Sequence, residues 1–145
     1  MARTGQFRCL DFSPKTVLAI NGAVALASED NGHDVEASEL AQRTAAPLRE
    51  VRAVATLLRK AGLVQSNGRG MASLSWGRDP ARVSLYDIAA AVGERFEVSQ
   101  SCNHHRRSAV PRDRYPLDAF LMDLRSEVID LFKARKLNEL VPPKA

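Results

Sequence analysis

The sequence predicts a mainly α-helical protein with one small β-hairpin and a long C-terminal helix. Apolar residues recur every three or four positions in several segments, which is the spacing of the buried face of a helix. Serine and proline stand where such helices would begin, and two short strand-like segments flank the glycine-rich stretch SNGRG at 66–70. These three observations indicate helices packed around a single hairpin.

The composition is that of one ordinary globular domain. The chain has 145 residues, 45% of them apolar, which is enough for a single core. Its 21 Lys and Arg against 17 Asp and Glu give a net charge of +4, which mildly favours an anionic partner. The two cysteines, Cys9 and Cys102, form no disulfide framework, and neither a signal peptide nor a transmembrane run is evident. We therefore expect a cytoplasmic protein.

The first predicted helix runs from Pro14 to about Ser28. Ser13 is a suitable N-cap, and proline suits the first helical position because the N–H it lacks would be unpaired there. The apolar residues that follow form a broad face and are Val17, Leu18, Ile20, Val24 and Ala25. A turn at 29–35 then precedes a short second helix at 36–44.

The third predicted helix begins at Pro47. Val51, Val54 and Leu58 recur at helical spacing and form its apolar side. The rest of this helix is rich in positive charge, with only Glu50 to oppose it. The basic residues are Arg49, Arg52, Arg59 and Lys60.

A glycine-tipped hairpin follows the third helix. Gly62 can adopt the left-handed conformation that ends a helix, and Leu63 and Val64 then begin a short strand. SNGRG reverses the chain, and MASLSW at 71–76 returns as the partner strand. A short helix, a turn, a second helix and such a hairpin make up a winged helix-turn-helix.

Two more helices are predicted after the hairpin. Ser84 is a suitable cap for a helix that ends at Gly93. The last helix carries an apolar stripe at i, i+3, i+4 and i+7 positions, which comprises Leu117, Phe120, Leu121, Leu124, Val128, Leu131 and Phe132. Such a stripe either covers the core of its own domain or forms a seam between two protomers.

The third helix and the hairpin are suited to double-stranded DNA. A helix fits the major groove, where Arg49 and Arg52 can reach base edges or phosphates, while Arg59 and Lys60 suit the flanking backbone. Glycines at the hairpin tip allow close approach to the duplex, and Arg69 suits the minor groove or a phosphate. We predict DNA contacts for Leu48, Arg49, Arg52, Arg59, Lys60, Asn67 and Arg69. The alternative is a winged helix that binds another protein and whose basic residues are merely solvated.

Catalysis has no support in the sequence. The chain contains no glycine-rich phosphate loop, no Ser-His-Asp order and no HExxH motif. We therefore expect a protein that is not an enzyme.

Four segments occur in an order and at a spacing that resemble a family of regulators. They are ASELAQR at 37–43, LRKAGLV at 58–64, the glycine-containing wing, and SLYDI at 84–88. Over about residues 13–141 the chain resembles the Rrf-two family of bacterial winged helix-turn-helix transcription regulators, of the IscR, NsrR and CymR type. The resemblance implies a homodimeric, sequence-specific DNA-binding protein, often a repressor, that is controlled through a loop before its last helix.

The resemblance favours the dimer seam as the role of the last apolar stripe. The domain organisation it implies has three parts. They are a winged helix-turn-helix domain at 1–93 with an N-terminal extension at 1–12, a sensor-like loop at 94–116, and a dimerisation helix with a tail at 117–145.

The loop departs from the family pattern. Cluster-binding members place three cysteines there, and this chain matches only the first, Cys102, so we expect neither an iron–sulfur cluster nor another cofactor. Arg106 and Arg107 would favour the reactive thiolate of Cys102, which predicts a sensor of oxidants or electrophiles. His104 and His105 leave a Cys-x-His-His metal site as one alternative. A solvated loop with a silent cysteine is the other.

Overall fold

The computed structural model of the protein describes residues 12–29, 33–96 and 116–142. The chain forms two compact units. The larger unit comprises Ser13–Glu94 and Phe132–Ala145, and the smaller unit comprises Met1–Phe12 and Arg95–Leu131. No helix among the described residues is long and apolar enough to span a lipid bilayer.

Helices dominate the described residues, as the sequence predicts. The five helices there are α1 (Pro14–Ala27), α2 (Ala37–Thr44), α3 (Leu48–Lys60), α4 (Leu85–Ala91) and α5 (Pro116–Ala134). The strands are β1 (Val35–Glu36), β2 (Val64–Asn67) and β3 (Ser73–Trp76). Single turns of 3₁₀ helix occupy Arg69–Met71, Pro80–Arg82 and Leu137–Glu139.

Side-chain hydrogen bonds begin α1 and α4 at the predicted residues. The Ser13 hydroxyl oxygen accepts a hydrogen bond from the N–H of Thr16 at 3.3 Å, and Pro14 is the first residue of α1. Ser84 and Asp87 form a reciprocal capping box at α4, with nitrogen–oxygen distances of 3.0 and 3.1 Å. Both starts are local, because each joins residues three positions apart.

Glycines in the left-handed region follow α3 and α4, again as predicted. Gly62 and Gly93 both have a φ of +78°, which a residue with a Cβ atom adopts only at a cost. The Nε atom of Arg78 donates a hydrogen bond to the carbonyl oxygen of Gly62 at 3.2 Å. The junction between α3 and the hairpin is therefore held by a side chain from beyond the hairpin.

The sheet has three antiparallel strands in the order β1-β3-β2. Strands β2 and β3 are the predicted hairpin. The sequence predicts Val35 as the end of a turn and Glu36 as the start of a helix, but these residues pair with Leu74 and Ser73 as β1. That prediction is wrong because β1 forms by pairing with a strand far along the chain, which short-range pattern does not reveal.

The hydrophobic core of the larger unit is built from α1 to α4, the sheet and the C-terminal segment. Its most deeply buried large apolar side chains are Val35, Leu74, Val83, Ile88 and Leu137. The N–H of Leu137 donates to the carbonyl oxygen of Val83 at 2.8 Å, which joins the C-terminal segment to this core. A small apolar cavity of about 20 Å³ remains beside Gly22 and Leu40.

In the smaller unit, Arg125 of α5 holds residues 95 and 96. Its Nε atom donates to the carbonyl oxygen of Phe96 at 3.0 Å, and its Nη2 atom donates to that of Arg95 at 3.2 Å. The rings of Phe12 and Phe96 meet edge to face, with centroids 6.1 Å apart. Leu121 of α5 is almost fully buried.

Candidate nucleic-acid interface

One side of α3 is buried and the other is basic. Val51, Val54 and Leu58 lie in the core. The opposite side, which we call the basic face of α3, comprises Arg49, Arg52, Thr56, Arg59 and Lys60. At roughly 100° per residue, these five positions fall within an arc of about 100°, and Glu50 lies outside that arc. The helix therefore presents its positive charge in one direction.

A three-residue turn joins α2 to α3 and completes a helix-turn-helix. Ala45 has a left-handed backbone with a φ of 54°, and the N–H of Ala46 donates to the carbonyl oxygen of Ala41 at 3.1 Å. Pro47 then precedes the first residue of α3. That first residue, Leu48, is partly buried and packs against the core, unlike the four exposed cations of the basic face.

The hairpin forms a wing with an exposed arginine at its tip. Gly68 has a φ of +82°, which turns the chain into the 3₁₀ helix that begins with Arg69. Arg69 and Asn67 are both exposed. The Nδ2 atom of Asn67 donates to Oδ2 of Asp34 at 2.6 Å, so one donor of this amide is already engaged within the protein.

The wing contacts the basic face of α3. The hydroxyl oxygen of Thr56 lies 3.2 Å from the sulfur of Met71, the last residue of the 3₁₀ helix in the wing. Neither residue is in the predicted site. Thr56 could have been found by its spacing, since it lies four residues from Arg52 and from Lys60, whereas no pattern in the sequence pairs it with Met71.

Arg43 differs from the cations of this interface in its charge pairing. Arg43 of α2 forms ion pairs with Glu29 and Glu39. Its hydrogen bond to Glu29, followed by that to Glu39, raises the pKa of the guanidinium. Among the described residues, the cations of the basic face and Arg69 form no such pair. Within the described part of the chain, no carboxylate pairs with these cations, and their positive charge is available to an anionic partner.

The predicted dimer seam divides into buried and exposed positions. Leu117 lies in the first turn of α5. Leu121 is 2% exposed, whereas Phe120 is 60% and Leu131 is 55% exposed. The remaining members are half-buried and are Leu124, Val128 and Phe132. The stripe thus contributes to the interior of the protein and leaves large apolar side chains on its surface.

The predicted sensor residues Cys102, His104 and His105 lie outside the described residues, as does Cys9. Where the chain is described, no group of three or more His, Cys, Asp or Glu is placed to hold a metal ion. The structure therefore provides no geometry for the predicted sensor.

Two adjacent helices, a short turn between them and a glycine-tipped hairpin against the second helix define a winged helix-turn-helix protein. The uncompensated cations lie on the second helix and at the wing tip, where members of this class contact DNA. The chain belongs to the Rrf2 family, described as iron-dependent transcriptional regulators, whose family model matches residues 12–143. It is accordingly a member of a regulator family rather than of an enzyme family.

Solved structures of similar fold come from the same family. Oxidised CymR from Staphylococcus aureus superposes with a TM-score of 0.69 at 17% identity, over 93% of this chain and 98% of that one. IscR from T. potens gives 0.68 at 17% identity, over 90% and 85%. CymR, the global cysteine regulator of B. subtilis, gives 0.67 at 19% identity, over 92% and 97%. These likenesses show the fold. No curated protein sequence matches the chain significantly.

The family description implies iron. Whether this chain can hold an iron–sulfur cluster depends on how many cysteine thiolates it can supply. The sequence contains two cysteines in all. One protomer therefore cannot supply the three thiolates that the resemblance to cluster-binding members requires. The residues present do not fit a cluster of that kind.

Proposed function

We propose that this protein is a sequence-specific DNA-binding transcriptional regulator, acting as a cytoplasmic homodimeric repressor. The observation that carries the DNA-binding part is the set of uncompensated cations on the basic face of α3 and at Arg69 of the wing. A helix of this kind fits the major groove, and a duplex presents phosphates on both sides of that groove. Double-stranded DNA, whose phosphates repeat regularly, can therefore contact α3 and the wing at the same time.

The position of each cation along α3 indicates its role in DNA binding. Arg49 and Arg52 lie in its first two turns, which is the part of a recognition helix that reaches base edges. Arg59 and Lys60 lie in its last turn and suit phosphates. Leu48 packs against the core, so in this proposal it supports the helix and does not read a base.

The test is a binding titration with genomic DNA fragments retained by the protein, repeated at several salt concentrations. Arg49→Ala or Arg52→Ala weakens binding by about 1 to 3 kcal/mol if that residue reads a base. Arg59→Ala reduces the steepness of the salt dependence by about 0.9 in the slope of log Kobs against log salt if it neutralises one phosphate. Lys15→Ala is the matched control, because Lys15 is an exposed cation of α1.

If Arg49→Ala, Arg52→Ala and Arg59→Ala all bind DNA as tightly as the wild type, this face is ruled out as the DNA interface. Absence of any salt-dependent binding by the wild type would favour the alternative, a winged helix that binds another protein. Repression is tested separately, by transcription in vitro from the retained fragment, where the protein lowers transcript yield.

Dimerisation through α5 is the second part of the proposal. Its support is the exposure of Phe120 and Leu131 on the same side of α5, because a patch of exposed apolar side chains marks an interaction surface. We expect the wild type to sediment as a dimer at micromolar concentration. Leu124→Glu sediments as a monomer, since an unpaired charge in an apolar seam is strongly unfavourable. Ser126→Glu adds the same charge away from the stripe and leaves the dimer intact.

Thiol sensing by Cys102 is the third part, supported by the basic sequence around it. We expect the purified protein to be colourless and to carry no iron–sulfur cluster. Alkylation of Cys102 lowers DNA affinity about tenfold, which corresponds to about 1.4 kcal/mol. Cys102→Ser binds DNA with an affinity that the alkylating reagent does not change, whereas the reagent still lowers the DNA affinity of Cys9→Ser. The purified protein could instead contain one equivalent of zinc that His104→Ala no longer binds. That result would favour the metal-responsive alternative, in which Cys102 and His105 are the further ligands.

A further inference from the structure

Met71 is in a backbone conformation that its residue type disfavours. Its φ is 62°, in the left-handed region, where the Cβ atom of an L-residue crowds the following carbonyl oxygen. It ends the 3₁₀ helix that begins with Arg69 at the wing tip. A glycine would occupy this position without strain, so Met71 keeps this conformation only because contacts around it hold it there.

Those contacts are with the recognition helix. Met71 is half-buried and packs against the hydrophobic core. Its sulfur lies 3.2 Å from the hydroxyl oxygen of Thr56. The one proton of this hydroxyl is donated to the carbonyl oxygen of Arg52, at an oxygen–oxygen distance of 2.8 Å, so Met71 contacts a side chain whose orientation α3 itself fixes. Thr56 belongs to the basic face of α3. The wing is therefore attached at a point between the cations that we propose to contact DNA.

The residue after Met71 is attached to the other helix of the pair. The carbonyl oxygen of Ala72 accepts a hydrogen bond from the N–H of Ala37, the first residue of α2, at 2.9 Å. On its other side, Gly68 turns the chain with a φ of +82°. The short segment that carries Arg69 is thus connected to both helices of the helix-turn-helix.

We infer that Met71 is a positioning residue, which holds Arg69 at a set distance from the basic face of α3 so that both contact one duplex together. This inference rests on the proposed DNA-binding function. A wing already held in its bound conformation loses little conformational freedom on binding, whereas a free wing must be ordered at that moment. Without the Met71 contacts, the segment keeps its attachment to α2 but loses its attachment to α3, so Arg69 is held less firmly and contributes less to affinity.

The test is a double-mutant cycle between Met71 and Arg69, measured as DNA affinity at one salt concentration. In the wild-type background, Arg69→Ala weakens binding about tenfold, in keeping with one lost groove or phosphate contact. In a Met71→Gly background, the same change weakens binding less than threefold. Met71→Leu, which keeps an apolar side chain of similar volume, restores most of the effect of Arg69→Ala.

Two further measurements keep the result interpretable. Fluorescence of Trp76, the one tryptophan of the chain, reports whether each variant unfolds at the wild-type midpoint. If Met71→Gly is unstable, the cycle is run with Met71→Asn, because asparagine tolerates the left-handed region and lacks the apolar contact.

The outcomes separate this inference from the function on which it rests. Equal fold-losses for Arg69→Ala in all backgrounds, with a wild type that binds DNA, would overturn the positioning role and leave DNA binding standing. A wild type without salt-dependent DNA binding would overturn both.

Discussion

Replacement of Gly22 by alanine is expected to raise the free energy of unfolding by about 1 to 1.5 kcal/mol. Gly22 is a buried residue inside α1, where glycine is disfavoured relative to alanine by about 0.8 to 1 kcal/mol. An added Cβ atom would meet only Cδ2 of Leu40, at 3.9 Å, which is ordinary van der Waals contact. It would also extend toward the apolar cavity of about 20 Å³ that Gly22 lines, so part of a buried methyl contribution of about 0.8 kcal/mol is added.

The assay is urea unfolding at fixed protein concentration, followed by the fluorescence of Trp76. Gly93→Ala is the matched control, because Gly93 has a φ of +78° and a Cβ atom there would meet nothing within 4 Å. It isolates backbone strain and is expected to lower stability by about 1 to 2 kcal/mol. Destabilisation by Gly22→Ala would refute the reasoning, since it would mean that α1 and α2 pack more tightly at this point than the structure shows.

Three further changes test other parts of the structure. Ser84→Ala removes the capping box of α4 and is expected to cost about 1 kcal/mol in the same unfolding assay. Glu94→Ala removes the carboxylate that accepts hydrogen bonds from the Ser13 N–H at 2.9 Å and from the hydroxyl of Thr16 at 2.7 Å. Because Thr16 is 1% exposed, a loss of about 1 to 3 kcal/mol is expected, and an unchanged unfolding midpoint would contradict that role. Asp34→Asn keeps an acceptor for Asn67 but removes a negative charge beside the wing, so DNA affinity is expected to rise about threefold at low salt and to converge with the wild type at high salt.

Much of the fold was predictable because the responsible interactions are local. The caps at Ser13 and Ser84 join residues three positions apart, and Gly62 ends α3 through its own backbone conformation. The basic face of α3 was likewise predictable, since charged and apolar residues separate by helical spacing alone. The family resemblance rested on the same segments, and the match of the family model over residues 12–143 confirms it.

The details of the interface depend on residues that are distant in sequence. Strand β1 forms only when Val35 pairs with Leu74, and Asn67 is engaged by a carboxylate that precedes β1. The contact between Thr56 and Met71 likewise exists only once the hairpin has folded back onto α3. Short-range patterns carry no information about such partners, because the long stretch of chain between two partners does not fix the distance between them.

The apolar stripe of α5 shows the same division between sequence and tertiary structure. Helical spacing by itself predicts that Phe120 and Leu121 are both apolar positions of one helix, and it treats them alike. In the folded protein, Leu121 is 2% exposed and Phe120 is 60% exposed. The sequence determined that α5 is an amphipathic helix, because periodicity is a property of the chain alone. Only the tertiary structure decided which apolar side chains are covered, because burial depends on what packs against the helix.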